Sequence, residues 1–277
     1  FVISFGSVRR LPAQERSFMK KICVITGASS GIGKEFFMQL KDRSDWDEIW
    51  VIARNAEKLN DLCALTGTPV RPISLDLSED SARQAYAELL TREKPEIVLL
   101  INGAGYGKFA STQKVGYDAT MNMIDLNVKA VAALSLLSLP YMKAGDGIIN
   151  IASVAAYQPI PYINVYGATK AFVLNFTRAL GAEMKHRGIR VMAVCPFWTK
   201  TGFFDRAITP DEEPVVKKYV AMYKPEQIVR RALADYQKGR AVSLFGFVTK
   251  AQLLGVKLLP TSATMQIWMR QQKLTKR

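Results

Sequence analysis

A tyrosine and a lysine stand four positions apart in the motif Tyr166-x-x-x-Lys170. If this stretch is helical, the two side chains lie on one face, one turn apart, and an ammonium group sits beside a phenol. A fixed positive charge favours the phenolate, so the spacing predicts a pKa of Tyr166 below its ordinary value of about 10. Such a pair would transfer a proton at neutral pH.

Ser153 follows the apolar run 147–152, which predicts a buried strand. Its hydroxyl would then emerge at the carboxyl end of that strand, the edge at which parallel sheets bind ligands. We therefore expect Ser153, Tyr166 and Lys170 to converge on one site. The Tyr-x-x-x-Lys spacing is not sufficient by itself, because a helix with its phenol on the core and its lysine in solvent has the same pattern.

The first part of the chain predicts a phosphate-binding turn. Residues 21–26 form an apolar run that predicts a buried strand, and a glycine-rich turn and helical residues follow it. In such a unit the glycines let the backbone approach phosphates, and the helix N-terminus offers unpaired N–H groups. The sequence therefore predicts a dinucleotide site whose contacts are Gly27, Ser29, Ser30, Gly31, Ile32 and Gly33.

The same turn also spells Gly27-x-Ser29-x-Gly31, the nucleophile elbow of α/β-hydrolases. Such a hydrolase needs a histidine base, and His186 is the chain's one histidine. It also needs an oxyanion loop before the elbow, yet a single predicted strand and no His-Gly-Gly stretch precede it. A serine hydrolase remains an alternative that these requirements disfavour.

The second predicted strand, 48–53, ends at Arg54. This position is roughly 20 residues past the last glycine of the turn, where an acid would bind the ribose 2′-hydroxyl of NAD. A guanidinium suits a 2′-phosphate instead, so the sequence predicts NADP(H) in preference to NAD(H). The third strand, 70–75, delivers Asp76 and Leu77, which we expect near the adenine. Capping of the next helix is the alternative role for Asp76.

Further strands are expected at 97–101, 189–194 and 241–245, with long helices at about 118–139 and 166–186. The small residues 102–105 would pack against a flat ligand at the end of the fourth strand. Because strands alternate with helices, we predict a Rossmann-like doubly wound parallel sheet of about seven strands with helices on both faces. The ligand would bind at the carboxyl edges of the strands.

Charge is concentrated at the two ends of the chain. The formal charge is +14, and residues 236–277 contain eight basic residues and no acid. A nearly neutral body with cationic ends is not typical of a nucleic-acid-binding fold. The C-terminal composition suits contact with an anionic membrane surface or an acidic acyl carrier, or a docked helix with a solvated basic rim.

Other sequence features bound the class of protein. The three cysteines have no Cys-x-x-Cys spacing, so we expect reduced core residues in a cytoplasmic protein. A metal site built on histidine is excluded by the single histidine, and no run of 18 to 20 apolar residues predicts a membrane span.

We expect residues 1–18 to be an extension, 19–250 the folded domain, 202–224 a mobile lid and 251–277 a basic amphipathic segment.

Taken together, these motifs resemble the compact branch of the short-chain dehydrogenase/reductase family over about residues 19–250. The resemblance rests on the Thr-Gly-x-x-x-Gly-x-Gly turn, the Asn-Gly-Ala-Gly stretch, Asn127, Ser153, Tyr166-x-x-x-Lys170 and the turn after strand six. It implies that Tyr166 donates or accepts a proton and that Ser153 holds the substrate oxygen. It further implies that Lys170 binds the nicotinamide ribose and that Asn127 positions a water.

The resemblance also implies cofactor contacts by Asn102, Ala104, Gly105, Tyr166, Lys170, Pro196, Thr199 and Thr201. Two departures stand out. Gly103 separates Asn102 from Ala104-Gly105, where the family usually has Asn-Ala-Gly, and Phe197 stands where the family usually has glycine after Pro196. The family commonly forms dimers or tetramers through its two long helices, so we expect a homo-oligomer.

Aromatic residues in the predicted edge loops favour a broad apolar pocket, and they are Tyr106, Phe109, Tyr157, Phe197, Trp198, Phe203 and Phe204. The expected function is thus reduction of a hydrophobic ketone, such as a steroid or a long-chain 3-oxoacyl compound, with NADPH. The alternative is a catalytically silent NADP-binding regulatory protein, which the presence of Ser153, Tyr166 and Lys170 disfavours.

Overall fold

The computed structural model describes residues 19–208 and 214–274. The expected extension, 1–18, lies outside these ranges, as do the acidic centre of the expected lid, 209–213, and the last three residues.

A seven-stranded parallel sheet confirms the predicted fold class. Its order is β3-β2-β1-β4-β5-β6-β7, so the direction of winding reverses between β1 and β4. Ligands bind at such switch points, beyond the carboxyl ends of the strands. The strands are β1 Lys21–Thr26, β2 Glu48–Ala53, β3 Val70–Ser74, β4 Glu96–Asn102, β5 Gly147–Ile151, β6 Arg190–Val194 and β7 Val242–Ser243.

Helices cover both faces of the sheet, and each face has its own buried apolar cluster. One cluster includes Trp50 and Tyr86, and the other includes Phe36 and Phe37. The α-helices are α1 Gly31–Leu40, α2 Ala56–Cys63, α3 Asp80–Glu93, α4 Thr112–Val115, α5 Tyr117–Ile124, α6 Ala130–Ser138, α7 Asn164–Met184, α8 Phe203–Ala207, α9 Pro225–Gln237, α10 Phe247–Leu258 and α11 Thr261–Gln271.

The long helix expected over 118–139 is interrupted. A π-helical segment, Asp125–Lys129, joins α5 to α6, and Asn127 lies within it. Within the described residues, the continuous stretch Tyr117–Tyr141 is long and apolar enough to cross a membrane, and half of its most apolar window is buried inside the protein. Its packing against α3, α7 and β4 is that of a core helix.

Three sequence expectations differ from the structure in detail. The last strand covers two residues and not 241–245, because pairing with β6 continues only over Val242 and Ser243. Cys63 is exposed at the end of α2, whereas Cys23 and Cys195 are buried. The division expected at residue 251 falls inside α10, which packs on the folded domain through buried Thr249 and Leu253.

The turn between β1 and α1 leaves no room for a side chain at Gly33. A Cβ at this position would lie 2.7 Å from the carbonyl carbon of Gly27, closer still to its oxygen, and 3.0 Å from the carbonyl oxygen of Thr26. Contacts under about 3 Å between these backbone atoms would force the turn apart. Gly33 therefore holds α1 close to the end of β1.

We predict that Gly33→Ala destabilises the protein by about 1–3 kcal/mol, because overpacking at rigid backbone must distort the turn. Urea unfolding measures the change. Gly67→Ala is the matched control, since no atom lies within 4 Å of a Cβ at that position. Equal unfolding free energies for the two variants would contradict the account of the turn.

Candidate active site

A cavity of about 600 Å³ lies along the carboxyl ends of the central strands. The glycine turn forms one end of its wall, and α7, α8, α10 and α11 contribute to the other end. Of the residues expected at a site, the cavity is lined by Gly27, Ser29, Ser30, Gly31, Ile32, Gly33, Arg54, Asp76, Leu77, Ala104, Gly105, Ser153, Tyr166, Lys170, Pro196, Thr199 and Thr201.

The glycine turn fits a phosphate group. Gly27 and Gly31 have φ of 68° and 56°, the left-handed region that glycine enters without strain. Ser30 precedes α1 and makes no side-chain hydrogen bond to the first turn, so this turn presents N–H groups without a side-chain cap. Thr201 stands over the turn, with its side chain 3.6 Å from a Cβ built on Gly31. The turn has the shape and polarity that a dinucleotide phosphate requires.

Arg54 and Asp76 meet at the neighbouring end of the cavity, with Nη1 and Oδ2 3.5 Å apart. The other carboxylate oxygen of Asp76 accepts hydrogen bonds from the backbone N–H and the hydroxyl of Ser78, at 3.1 and 2.6 Å. Asp76 thus stabilises the local turn through its hydrogen bonds with Ser78 and also lines the cavity. Burial raises the pKa of Asp76, but the Ser78 hydrogen bonds and the Arg54 charge outweigh it and hold that pKa below its usual value.

Arg206 on α8 is a cation that sequence reasoning did not single out. Its guanidinium carbon lies 3.7 Å from the ring centre of Tyr106, and the side chain lines the cavity. Burial and the neighbouring Arg54 both lower the pKa of Arg206. The only available signal was an arginine within the expected lid, a segment without periodicity.

The cavity wall carries an excess of positive charge. Its basic side chains are Arg54, Lys170, Arg206 and Lys218, and its acidic side chain is Asp76. An anionic ligand would therefore be favoured at this site over a cationic one.

Lys170 is held at the centre of the wall. Its ammonium donates a 2.7 Å hydrogen bond to the carbonyl of Ile151, and the residue is 5% exposed. A Cβ built on Gly105 would lie 2.9 Å from the side-chain oxygen of Asn127 and 3.4 Å from this nitrogen, so glycine at 105 leaves room for the Asn127 side chain next to the ammonium. Lys170 therefore links α7 to the end of β5 beside the loop after β4.

Ser153 and Tyr166 lie together beside this lysine. The Ser153 side chain interacts with the Tyr166 phenol and lowers its pKa. The Ser153 oxygen also accepts from the N–H of Ala155 at 3.1 Å, which fixes the serine rotamer. The structure thus brings Ser153, Tyr166 and Lys170 onto one wall of one cavity, as the sequence predicts.

The predicted acidification of Tyr166 is wrong for the protein without ligands. Burial raises the pKa of Tyr166 to about 12, although the Ser153 hydrogen bond lowers it. Burial also lowers the pKa of Lys170 to about 8, and its nitrogen lies 5.8 Å from the centre of the phenol ring. Desolvation disfavours the charged form of each group, which raises the pKa of the phenol and lowers that of the amine.

Two residues expected at the site lie behind it, since neither lines the cavity. Asn127 is fully buried; its oxygen accepts from the N–H of Tyr106, and its amide donates to the Tyr106 carbonyl and the Thr169 hydroxyl. Asn102 donates to Ser135 and to Asn150 between the sheet and α6. Both side chains join elements that carry the wall.

The turn after β6 accommodates the bulky side chain of Phe197. The Phe197 ring packs against Trp198 and Tyr223, and its carbonyl accepts from the Thr199 hydroxyl at 2.8 Å. The backbone of Thr199 pairs with Tyr223 across the base of the expected lid. This pairing anchors both ends of the segment.

Aromatic side chains form one part of the cavity wall, next to Tyr166. Phe109, Trp198, Phe203 and Phe204 pack edge to face or tilted at 5.9–6.4 Å between ring centres. Phe203 also contacts Tyr166 at 5.5 Å.

Two aromatics that the sequence suggested for the pocket have other roles. Tyr106 lines the cavity, but its hydroxyl donates to the carbonyl of Ala119 and the side chain of Asn122. Tyr157 is not among the lining residues and packs instead against Cys195.

Comparison with known proteins gives consistent matches. The family described as short chain dehydrogenase matches residues 21–212. The very-long-chain 3-oxoacyl-CoA reductase-B of Danio rerio is 30% identical over 252 residues, which cover 88% of this chain and 79% of that protein. The 17-beta-hydroxysteroid dehydrogenase type 3 of Mus musculus is 29% identical over 232 residues, covering 77% of this chain and 73% of that protein.

A solved short-chain dehydrogenase from Sphingobium yanoikuyae, in complex with NADPH, has the same fold. The two structures superpose with a TM-score of 0.73 at 28% sequence identity. The match covers 86% of this chain and 93% of the other.

The buried lysine makes stability depend on pH. Between pH 8 and 10, folded Lys170 has largely released a proton that the unfolded chain still binds, so we predict that the unfolding free energy rises with pH. The slope contributed by this one group is at most about 1.4 kcal/mol per pH unit. Lys170→Met should remove that contribution.

Urea unfolding across this pH range, without ligands, measures the slope. Lys58→Met, a change at an exposed lysine of α2, is the matched control and should retain the wild-type slope. A wild-type slope in Lys170→Met would show that the buried ammonium does not titrate as stated.

Proposed function

The chain belongs to the short-chain dehydrogenase family, and from that premise we propose that it reduces the ketone group of a hydrophobic substrate with NADPH. As a member of this family, the chain is an oxidoreductase that acts on carbonyl or alcohol groups with a nicotinamide cofactor. One observation carries the proposal. Ser153, Tyr166 and Lys170 line the same cavity as the phosphate-binding glycine turn.

We assign the proton transfer to Tyr166. The substrate carbonyl oxygen would lie between the hydroxyls of Ser153 and Tyr166, whose side chains interact in the cavity wall. With its pKa raised to about 12, the phenol keeps its proton at neutral pH and donates it as the oxygen becomes an alkoxide. NADPH, when bound, supplies the hydride.

Lys170 and Asn127 would support this step. With a pKa of about 8, Lys170 is largely protonated at neutral pH and would donate to the nicotinamide ribose. Asn127 holds the loop after β4 against α7, so we assign it a positioning role. Its amide groups are occupied by protein partners, and a bound water would have to use its backbone.

We infer that Arg54 and Arg206 favour NADPH over NADH. Both guanidinium groups line the cavity, one at the end of β2 and one on α8. A guanidinium binds a phosphate bidentately, and the 2′-phosphate distinguishes the two cofactors. The related dehydrogenase from Sphingobium yanoikuyae contains NADPH. Asp76 and Leu77 would contact the adenine, and Pro196, Thr199 and Thr201 the nicotinamide half.

A hydrophobic substrate agrees with the aromatic side chains next to the tyrosine. Phe109, Trp198, Phe203 and Phe204 line the cavity, and Phe203 contacts Tyr166. We propose that the described parts of the expected lid, 202–208 and 214–224, cover the bound substrate. The related proteins act, by their names, on very-long-chain 3-oxoacyl-CoA and on 17-beta-hydroxysteroids. We propose a steroid or a long-chain 3-oxoacyl compound.

A homodimer or homotetramer agrees with the exposed apolar residues of the two long helices. Leu136 is 52% exposed on α6 and Phe172 41% exposed on α7, where Phe172 stacks on Phe176. We propose that these helices meet those of a second copy.

The free cysteines support a cytoplasmic location for the enzyme.

The two alternative functions lack structural support. The nucleophile elbow of a hydrolase would need a histidine near Ser29, yet His186 is exposed, lies in the turn after α7 and does not line the cavity. A silent binding protein would need a displaced Ser153, Tyr166 or Lys170, and all three line the cavity.

We predict that Tyr166→Phe lowers kcat for ketone reduction by about 10²–10⁴-fold, because the variant has no proton to donate. NADPH binding should be retained. Tyr117→Phe, at a residue 76% exposed at the start of α5, is the matched control. Steady-state NADPH oxidation with a panel of steroids and 3-oxoacyl thioesters measures the effect, and wild-type turnover by Tyr166→Phe would refute the assignment.

Arg54→Ser should raise the Kd for NADPH about tenfold or more while changing the Kd for NADH little, because one charged contact to the phosphate is lost. Fluorescence titration with both cofactors gives the two constants. Arg71→Ser removes the same charge from β3, outside the cavity lining, and should leave both constants unchanged. An equal loss of affinity for both cofactors would exclude 2′-phosphate recognition by Arg54.

A further inference from the structure

Large apolar side chains lie exposed on α10. Phe247 is 85% exposed, Leu258 74% and Leu254 59%. Together with the exposed Ala251 they recur at intervals of four, three and four residues, which places them in one stripe along the helix. Exposed patches of this kind mark interaction surfaces, because water solvates them poorly.

The opposite side of α10 belongs to the cavity. Thr249 and Leu253 are buried, and Gln252, Gly255 and Val256 line the cavity wall. One face of α10 thus lines the cavity, and the opposite face exposes the apolar stripe to solvent.

The mouth of the cavity opens next to this stripe. Val220, Leu259 and Ile267 line the cavity, and they are 51%, 44% and 52% exposed. Side chains that both line a cavity and contact solvent stand at its rim. The rim is therefore apolar, and Leu259 joins it directly to Leu258 at the end of the stripe.

Positive charge surrounds the stripe and the rim. Lys250, Lys257, Arg270 and Lys273 are exposed on or beside α10 and α11, and Lys218 is exposed where it lines the cavity. The whole stretch 236–277 contains eight basic residues and no acid. Apolar side chains edged by cations are typical of surfaces that lie on anionic lipid.

We propose that this docking face, defined by Phe247, Ala251, Leu254 and Leu258 with the rim residues Val220, Leu259 and Ile267, binds an anionic lipid bilayer. The apolar side chains would enter the boundary between headgroups and acyl chains, and the lysines and arginines would contact lipid phosphates. The cavity mouth then opens into the lipid. A hydrophobic ketone could pass from the bilayer to Tyr166 without crossing water, a step that rests on the proposed function.

Two other occupants fit the face less well. An acidic carrier protein would satisfy the cations but would leave the exposed apolar stripe in water. A second copy docked through the same face would bring its cations against these, and the stretch 236–277 offers no acid to pair with them. Lipid with an anionic headgroup satisfies both the apolar and the charged parts.

Vesicle cosedimentation of the full chain tests the docking. We expect at least about tenfold tighter binding to phosphatidylcholine vesicles that contain phosphatidylserine than to phosphatidylcholine alone, and weaker binding at high salt. Leu254→Glu/Leu258→Glu should reduce binding at least about tenfold. The matched control Met38→Glu/Leu65→Glu adds the same charge at two exposed apolar residues away from the face and should bind as the wild type does.

Kinetic measurements distinguish a failure of membrane docking from a failure of the proposed ketone reduction. Leu254→Glu/Leu258→Glu should reduce a ketone dissolved in anionic vesicles about tenfold more slowly, yet keep wild-type turnover of a small water-soluble ketone. Tyr166→Phe should bind vesicles normally and reduce neither ketone. Normal vesicle binding with no ketone reduction by the wild type would refute the proposed function and leave the docking intact.

Four results would overturn the docking. They are equal binding to neutral and anionic vesicles, wild-type binding by Leu254→Glu/Leu258→Glu, capture of an acyl carrier protein without vesicle binding, and a dimer in sedimentation velocity that this double variant dissociates. The last two would assign the face to a carrier protein or to a second copy.

Discussion

The hydrogen bond from the Lys170 ammonium to the Ile151 carbonyl is the contact on which the site depends. It spans 2.7 Å, it is buried, and it fixes one turn of α7 against the end of β5. Tyr166, one turn earlier on the same helix, is thereby held beside Ser153, which follows that strand. Gly105, in the loop after the neighbouring strand β4, packs beside this contact, and a Cβ there would lie 2.9 Å from the side-chain oxygen of Asn127.

Burial sets the electrostatics of this arrangement. The phenol and the amine are both taken out of water, and desolvation penalises the charged form of each. The result is a neutral phenol beside an amine whose pKa is about 8, so that the amine loses its proton more readily than an exposed lysine does. A neutral phenol is the form that can donate a proton.

The sequence predicted the central parallel strands well, because each is an apolar run ended by a turn with its own chemistry, as Lys21–Thr26 shows. Side-chain direction was harder to predict. Asn102 ends β4 but faces α6, and Asn127 lies in a π-helical segment that has no sequence signature. Arg206 was missed because the lid lacks periodicity. The predicted low pKa of Tyr166 was wrong because the Tyr-x-x-x-Lys spacing shows that a charge is near but does not show that burial raises the pKa of the phenol.

A crystal structure of the protein with bound NADP⁺ is the decisive measurement. We predict the nicotinamide ring beside the Tyr166 hydroxyl, with the diphosphate on the turn between β1 and α1. A nicotinamide ring remote from Tyr166, or a diphosphate bound away from that turn, would contradict this prediction.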